Sequence, residues 1–314
     1  MHWQTSRFDI DLRTPKVMGI VNVTPDSFSD GGQYAARDSA QAHCERLLKD
    51  GADILDIGGE STRPGAPPVT LEEELARVLP VIRHAVTLGV PVSVDTYKPA
   101  VMQAALDLGA DIVNDVWALR WRDGLGGPTG ESVVAGHPRC GVCLMHMHRD
   151  PQTMQVAPME GDVVPQVLSF LELLAQHLRG LGVDSPRICL DPGIGFGKTV
   201  AQNFSLLARQ AQAVPEGYPV LAGWSRKSSL AAVTQTSLSN AASMDVDQRR
   251  APSITAAVLA VQNGANVVRV HDVRDTVSAL KVLAAMQGQE PPRSVAARVA
   301  SPLPKGALRT GGAF

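Results

Sequence analysis

The sequence predicts an α/β fold, a (β/α)8 TIM barrel in a single domain. Eight apolar runs of strand length alternate with amphipathic stretches along most of the chain. The runs are nearly continuous rather than alternating in polarity, as expected for parallel strands that helices cover. Acidic, amide, basic and glycine residues cluster where most of these runs end, which is where ligands bind in parallel α/β proteins.

The predicted strands are apolar runs bounded by polar or glycine residues. They cover residues 17–23, 53–58, 91–95, 111–116, 141–147, 187–190, 219–223 and 266–270. An open, doubly wound sheet is the alternative arrangement for such units. That fold often carries a Gly-x-Gly-x-x-Gly turn after its first strand, and this sequence has none. The closed barrel is therefore the preferred prediction.

Amphipathic stretches between the strands predict helices over residues 35–49, 71–88, 99–108, 163–180, 252–262 and 273–286. Thr70 is a predicted N-cap, because three glutamates that suit the positive end of a helix dipole follow it closely. The phrases DGADI, LGADI and NGANV each place a glycine where a helix ends before the next strand. Residues 120–139 and 237–250 lack such patterns and are predicted loops.

One barrel domain, residues 17–286, is predicted between an N-terminal extension, residues 1–16, and a disordered tail, residues 287–314. The net charge of −2 provides no field that attracts nucleic acid or an anionic membrane, so neither is a predicted partner. No apolar run approaches the roughly 18 residues of a membrane span. The N-terminus has no apolar signal core and cysteines are few, which predicts a cytoplasmic protein.

Three polar residues end the third, fourth and sixth predicted strands: Asp95, Asn114 and Asp191. In a barrel these strand ends converge on one mouth. Two carboxylates and an amide there can bind a flat heterocycle that presents N–H donors along one edge, as a pterin or guanine does, through charge-assisted hydrogen bonds. One such residue alone is more often an N-cap or part of an ion pair, but three together favour a site.

A cationic cluster is predicted beside these acids. Lys227 and Arg269 come from the last two strands, where barrels often hold phosphate, and Arg269 lies between apolar residues in VVRVHD. Arg63, His271 and Asn22 are expected to face the same mouth. This cluster suits an anionic leaving group, and Asn22 offers the neutral oxygen that Mg²⁺ accepts beside phosphate oxygens and water.

Glycine-rich loops follow several strands. DPGIGFGK, residues 191–198, lets the backbone approach a ligand closely but lacks the spacing of a P-loop. Residues 24–32 and 58–65 form long loops that could close over a substrate. The pair His146-x-His148 could bind zinc only with further ligands at other strand ends, where only His271 qualifies. Cys140-x-x-Cys143 has no second cysteine pair and is predicted to be structural.

The motifs MGIVNVTPDSFSDGG, GGESTRPGA, DPGIGFGK and SRKS, in this order, resemble those of the dihydropteroate synthase family of the folate pathway. The resemblance covers residues from about 17 to 285. It implies a homodimeric (β/α)8 barrel that condenses 6-hydroxymethyl-7,8-dihydropterin diphosphate with 4-aminobenzoate. The products would be 7,8-dihydropteroate and pyrophosphate, formed by an SN1-like displacement with Mg²⁺ assisting.

The resemblance also implies roles for individual residues, with catalysis expected to depend on Asp95, Lys227 and Arg269. The pterin would be bound by Asp95, Asn114, Asp191 and Lys227, with Arg269 stacking on its face. Diphosphate and metal would be held by Asn22, Arg63, Arg269 and His271. The 4-aminobenzoate pocket, where sulfonamides compete in this family, would be shaped by Thr62, Pro64, Phe28, Phe196 and Ser225.

Some positions depart from the family pattern, namely Ile194, Trp224 and the pair His148-Arg149. None of them replaces an implied ligand, so they bear on fine specificity. One alternative is a pterin-binding methyltransferase that passes the methyl group of a methylated folate to a corrinoid partner. Such an enzyme has no evident use for TPDSFSDGG and SRKS. A non-catalytic synthase copy is the other alternative, and the intact ligand positions argue against it.

Overall fold

Eight parallel strands form the barrel in this computed structural model, which describes residues 1–23, 32–61, 67–124, 126–234 and 247–288. After a hairpin of β1 (His2–Gln4) and β2 (Asp9–Asp11), the barrel strands are β3 (Lys16–Asn22), β4 (Ile54–Gly58), β5 (Val92–Asp95), β6 (Ile112–Asp115), β7 (Gly141–Met145), β8 (Ile188–Asp191), β9 (Leu221–Ala222) and β10 (Val267–Val270). The strands pair in the order β8-β7-β6-β5-β4-β3-β10-β9. A parallel bridge between Leu190 and Val220 closes the ring.

Helices connect successive strands and cover the outside of the barrel. They are α1 (Gly32–Lys49), α2 (Leu71–Val86), α3 (Pro99–Asp107), α4 (Gly130–Gly136), α5 (Val163–Gly180), α6 (Val200–Ala208), α7 (Ser228–Thr234), α8 (Arg250–Gln262) and α9 (Val273–Met286). As predicted, the Thr70 side chain caps α2 by accepting a hydrogen bond from the backbone N–H of Glu73. Among the described residues, no helix is both long and apolar enough to cross a membrane.

The interior of the barrel has an apolar lower layer, which we call the floor. It consists of one buried side chain from each of seven strands: Met18, Ile54, Ile112, Cys143, Cys189, Leu221 and Val267. Successive side chains of a strand point to opposite faces, so the residues between these positions face the helices. Val17, Leu55 and Val268 accordingly belong to the cluster between strands and helices.

The N-terminal hairpin seals the floor from below. Trp3 is 0% exposed, packs with the floor residues and donates a hydrogen bond from Nε1 to the carbonyl of Arg187 at 3.0 Å. Arg7 ties the hairpin to the barrel through an ion pair of 2.6 Å with Asp111. The extension predicted over residues 1–16 is thus part of the core, and its last residue, Lys16, already belongs to β3.

Three short helices were absent from the sequence prediction. The predicted loop over residues 120–139 contains α4, whose start is fixed by a capping box between Thr129 and Ser132. Helices α6 and α7 span nine and seven residues, too few for a clear apolar period. Except for residues 287–288, the predicted tail lies outside the described part of the chain, as do residues 237–246 of the last predicted loop.

Candidate active site

Two residues after the floor positions, the side chains that point into the barrel are polar rather than apolar. Asp56, Asn114, Asp191 and Arg269 each follow a floor residue of the same strand by two positions. We call these four residues, with Asp95 on β5, the rim. Because side chains two apart on a strand share a face, the floor positions direct the rim residues into the mouth of the barrel.

Arg269 of β10 reaches across β3 and bridges two carboxylates, one on β4 and one on β5. Its Nε donates to Oδ2 of Asp56 at 2.6 Å, and its Nη2 donates to Oδ2 of Asp95. Asp56 is 0% exposed, whereas the Arg269 side chain retains 23% of its exposure. Although burial opposes it, the charges of Asp56 and Asp95 raise the pKa of Arg269. The guanidinium therefore stays charged at the mouth.

Asn114 completes this network from the neighbouring strand. Its Nδ2 donates to Asp56 at 3.2 Å, and Asn114 lies in register with Asp95 across the β5–β6 pair. Burial, together with the negative charge of Asp56, raises the pKa of Asp95 to about 7 even though Arg269 acts in the opposite direction. A shared cation and closely spaced acids are typical of functional sites.

Asp191 ends β8 and begins the glycine-rich loop, residues 191–198. Its Oδ1 accepts a hydrogen bond from the backbone N–H of Gly193 at 2.7 Å. Burial raises the pKa of Asp191, while that hydrogen bond and the charge of Lys227 act in the opposite direction. Lys227 places its Nζ 4.2 Å from the ring centroid of Phe196, a cation–π contact. Three predicted site residues thus meet beside this loop.

Ser225 and His271 are joined by direct contacts. Oγ of Ser225 lies 2.9 Å from Nδ1 of His271 and accepts the backbone N–H of the same residue at 3.1 Å. Arg226, the residue after Ser225, has a φ of 61° and forms an ion pair of 3.0 Å with Asp272. Its charge is therefore paired outside the rim.

Asn22 is the last residue of β3, half-buried at the mouth beside Gly58 of β4. No group of three or more histidine, cysteine or acidic side chains that could hold a metal ion occurs among the described residues. A Mg²⁺ ion here would therefore draw most ligands from substrate phosphate and water, with the Asn22 amide oxygen as the protein ligand. That arrangement suits Mg²⁺, which keeps several waters.

Four predicted site residues, Phe28, Thr62, Arg63 and Pro64, lie outside the described residues. The structure brings the other nine to the strand ends around one mouth: Asn22, Asp95, Asn114, Asp191, Phe196, Ser225, Lys227, Arg269 and His271. The zinc hypothesis for His146-x-His148 gains no support, because His146 is buried against Lys198, with 2.8 Å between Nδ1 and Nζ. Burial and the Lys198 charge lower the pKa of His146 to about 2.

Two residues of the site were not predicted from the sequence. Asp56 lies within the apolar run of β4 rather than at its end. Side chains two residues apart on a strand point to the same face, so its position two residues after Ile54 could have placed it inside the barrel. Lys198 ends the glycine-rich loop and is only 4% exposed. Burial lowers its pKa to about 7. Although Lys198 ends the DPGIGFGK motif, no feature of the sequence predicts its burial.

Comparison with known proteins relates this site to one family. The family model described as "Pterin binding enzyme" matches residues 18–271. The dihydropteroate synthase of Neisseria meningitidis serogroup C is 46% identical over 287 residues, which are 90% of this chain and 97% of that protein. The structure of Burkholderia cenocepacia dihydropteroate synthase complexed with 7,8-dihydropteroate is 48% identical, with a TM-score of 0.79 and coverage of 95% and 98%. The Xanthomonas albilineans enzyme with 4-aminobenzoic acid is 48% identical, with a TM-score of 0.80 and coverage of 89% and 95%.

Proposed function

We propose that this chain, which belongs to the pterin-binding enzymes and within them to the dihydropteroate synthases, condenses 6-hydroxymethyl-7,8-dihydropterin diphosphate with 4-aminobenzoate. It is a transferase that releases 7,8-dihydropteroate and pyrophosphate. The observation that carries the proposal is the rim, where acids, an amide and a guanidinium from five strands converge above one apolar floor. The flat pterin ring of the first substrate matches the acids and the amide, and its charged diphosphate tail matches the guanidinium.

The acids and the amide of the rim bind the pterin. Its ring N–H and amino groups are donors, which suit the carboxylates of Asp95 and Asp191, while Asn114 both donates and accepts. Lys227 donates to an acceptor atom of the ring. Arg269 is held at the mouth by Asp56 and Asp95, so its planar face is available for stacking on the heterocycle.

The bond that breaks joins the exocyclic methylene carbon of the pterin to a diphosphate oxygen, and its electron pair leaves with pyrophosphate. The dihydropterin ring delocalises the positive charge left on that carbon, which makes an SN1-like displacement favourable. Asp95 and Asp191 stabilise that charge. Preorganised electrostatic groups of this kind are often the largest catalytic contribution, about 3 kcal/mol for a single donor.

Cations beside these acids hold the leaving group. Arg269 and His271 come from β10 and the residue after it, and Ser225 fixes the His271 ring through the 2.9 Å contact. Asn22 would hold a bound Mg²⁺ ion, which would supply further positive charge to the leaving group. The nitrogen lone pair of 4-aminobenzoate then attacks the carbon, and the amine loses one proton. A neutral aryl amine needs no strong general base for this step.

We also propose that the protein is a cytoplasmic homodimer. Val282 and Met286 are 71% and 68% exposed and lie four residues apart on α9, so they share one face of that helix. Large exposed apolar side chains on one face are common at interfaces between subunits. The four cysteines are buried and free, as suits a reducing compartment. Light scattering of the purified protein tests the dimer.

A pyrophosphate-release assay tests the function. With both substrates and Mg²⁺, release must depend on 4-aminobenzoate, and a sulfonamide must inhibit it competitively. A methyltransferase would instead demethylate a methylated folate only when a corrinoid acceptor is present. A non-catalytic copy would bind the pterin without releasing pyrophosphate. Either of these results contradicts the proposal.

A further inference from the structure

Lys198 is a buried lysine that has no part in the chemistry described above. Its Nζ lies 2.8 Å from Nδ1 of His146 and from the carbonyl oxygen of Gly193, and 3.2 Å from the carbonyl oxygen of Phe196. Lysine is almost never fully buried unless its ammonium is paired. Here its donors contact neutral acceptors, and two of these acceptors belong to the loop that starts at Asp191.

The glycine-rich loop therefore folds around the Lys198 ammonium and packs on the end of β7. A Cβ atom at Gly193, whose φ is +70°, would lie 1.8 Å from the carbonyl oxygen of His146, so only glycine permits this approach. The backbone N–H of His146 donates to the carbonyl of Asp191 at 2.9 Å. Loop and strand end thus form one hydrogen-bonded unit with Nζ at its centre.

Two groups that face the substrates depend on this unit. The Asp191 carboxylate is oriented by the Gly193 N–H, and the Phe196 ring contacts Lys227. The Lys198 Nζ bonds the carbonyl groups of Gly193 and Phe196, the residues that make those contacts. A shift of about 1 Å in such groups can reduce a rate by about a hundredfold.

We propose that Lys198 is a positioning residue for both substrates, acting through its bonds to His146, Gly193 and Phe196. It holds the glycine-rich loop so that Asp191 meets the pterin and Phe196 borders 4-aminobenzoate. This inference rests on the proposed function, because it assigns those two roles to the loop. His146 is the acceptor side chain that completes the arrangement and is not a metal ligand.

The first test compares Lys198→Met with Lys281→Met, a matched change at an exposed position of α9. Lys198→Met keeps an unbranched side chain of similar length and removes every hydrogen bond of Nζ. We expect KM for both substrates to rise by about tenfold or more and kcat to fall as well, because Asp191 both binds the pterin and stabilises the charge on its methylene carbon. Lys281→Met should match the unmodified protein. Unchanged KM values in Lys198→Met overturn the inference.

A second test uses the other partner and stays informative if Lys198→Met does not fold. His146→Leu removes the Nδ1 acceptor, and His146→Asn retains an acceptor oxygen near the same place. His146→Leu should raise both KM values, His146→Asn should restore them towards normal, and adding Lys198→Met to His146→Leu should have little further effect. The proposal is contradicted if His146→Leu and His146→Asn change the KM values equally, or if the effects of His146→Leu and Lys198→Met on KM are fully additive in the double variant.

The two proposals fail in different ways. If the unmodified protein releases no pyrophosphate in the presence of 4-aminobenzoate, the proposed function is wrong. If the unmodified protein is active and the Lys198 and His146 variants keep normal KM values, the function stands and the positioning role is wrong.

Discussion

Four of the five rim residues lie two positions after floor residues of the same strands, and the two layers differ in what burial does to them. Floor residues such as Ile54 and Val267 are apolar and 0% exposed, so burial stabilises them directly. Asp56 is equally buried but charged, and it is tolerated because Arg269 and Asn114 bond to it. The comparison shows that the floor contributes stability, whereas the rim retains polar groups that a stability requirement alone would replace.

The largest effect that sharpens this contrast is expected at Trp3, which packs beneath the floor. Trp3→Ala should lower the free energy of unfolding by about 3–5 kcal/mol, because it removes a large buried ring and leaves a cavity under the barrel. Denaturation with urea measures the loss. Below the new unfolding transition, kcat should stay near normal. A large loss of kcat in the folded variant would contradict the separation of floor from rim.

Asp95→Asn is expected to produce the opposite pattern. It keeps the shape of the side chain but removes the charge that faces the pterin, so kcat/KM should fall by about a hundredfold to a thousandfold. The unfolding transition should move little. Asp184→Asn is a suitable control, because Asp184 is exposed and precedes β8 at the floor end of the barrel. Near-normal turnover of Asp95→Asn would exclude the proposed role.

Asp56→Asn should have an intermediate effect on activity. Arg269 would lose one of its two carboxylate partners, and a hydrogen bond to a charged group contributes about 1.5–3 kcal/mol. We therefore expect kcat/KM to fall by about tenfold to a hundredfold. Calorimetric titration with a pterin should show weaker binding, since the guanidinium is less firmly held. Binding equal to that of the unmodified protein would show that Asp95 alone positions Arg269.

The pH dependence of pterin binding should give the smallest effect. Since burial raises the pKa of Asp95 to about 7, the carboxylate is partly protonated below that pH and accepts fewer hydrogen bonds from the pterin. Affinity should rise with pH up to about 7 and then level off. Titration with 6-hydroxymethylpterin avoids the ionisation of the diphosphate. Asp95→Asn should lack this dependence, and a persistent dependence in that variant would assign it to another group.

The sequence alone predicted the barrel and most of its mouth for a simple reason. Parallel strands in a closed barrel bring all their ends to one side, so Asp95, Asn114, Asp191 and Arg269 could be grouped from their positions in the runs. Asp56 was not predicted because it interrupts an apolar run, where a single acid looks incidental.

The parts that were missed depend on contacts distant in sequence. Lys198 was not identified because its burial arises from the fold of the loop against β7. The hairpin was missed because strands of three residues carry no measurable alternation.

The position of the hairpin has a practical consequence for ligand screening. The chain begins beneath the floor, where the Met1 carbonyl accepts a hydrogen bond from the Leu12 N–H at 3.0 Å and the Met1 residue is 50% exposed. A biotinylated linker joined to the N-terminus would attach the protein to a sensor chip by the side opposite its mouth. Immobilised in that orientation, the protein should leave the mouth accessible to fragments and sulfonamides flowing over the chip.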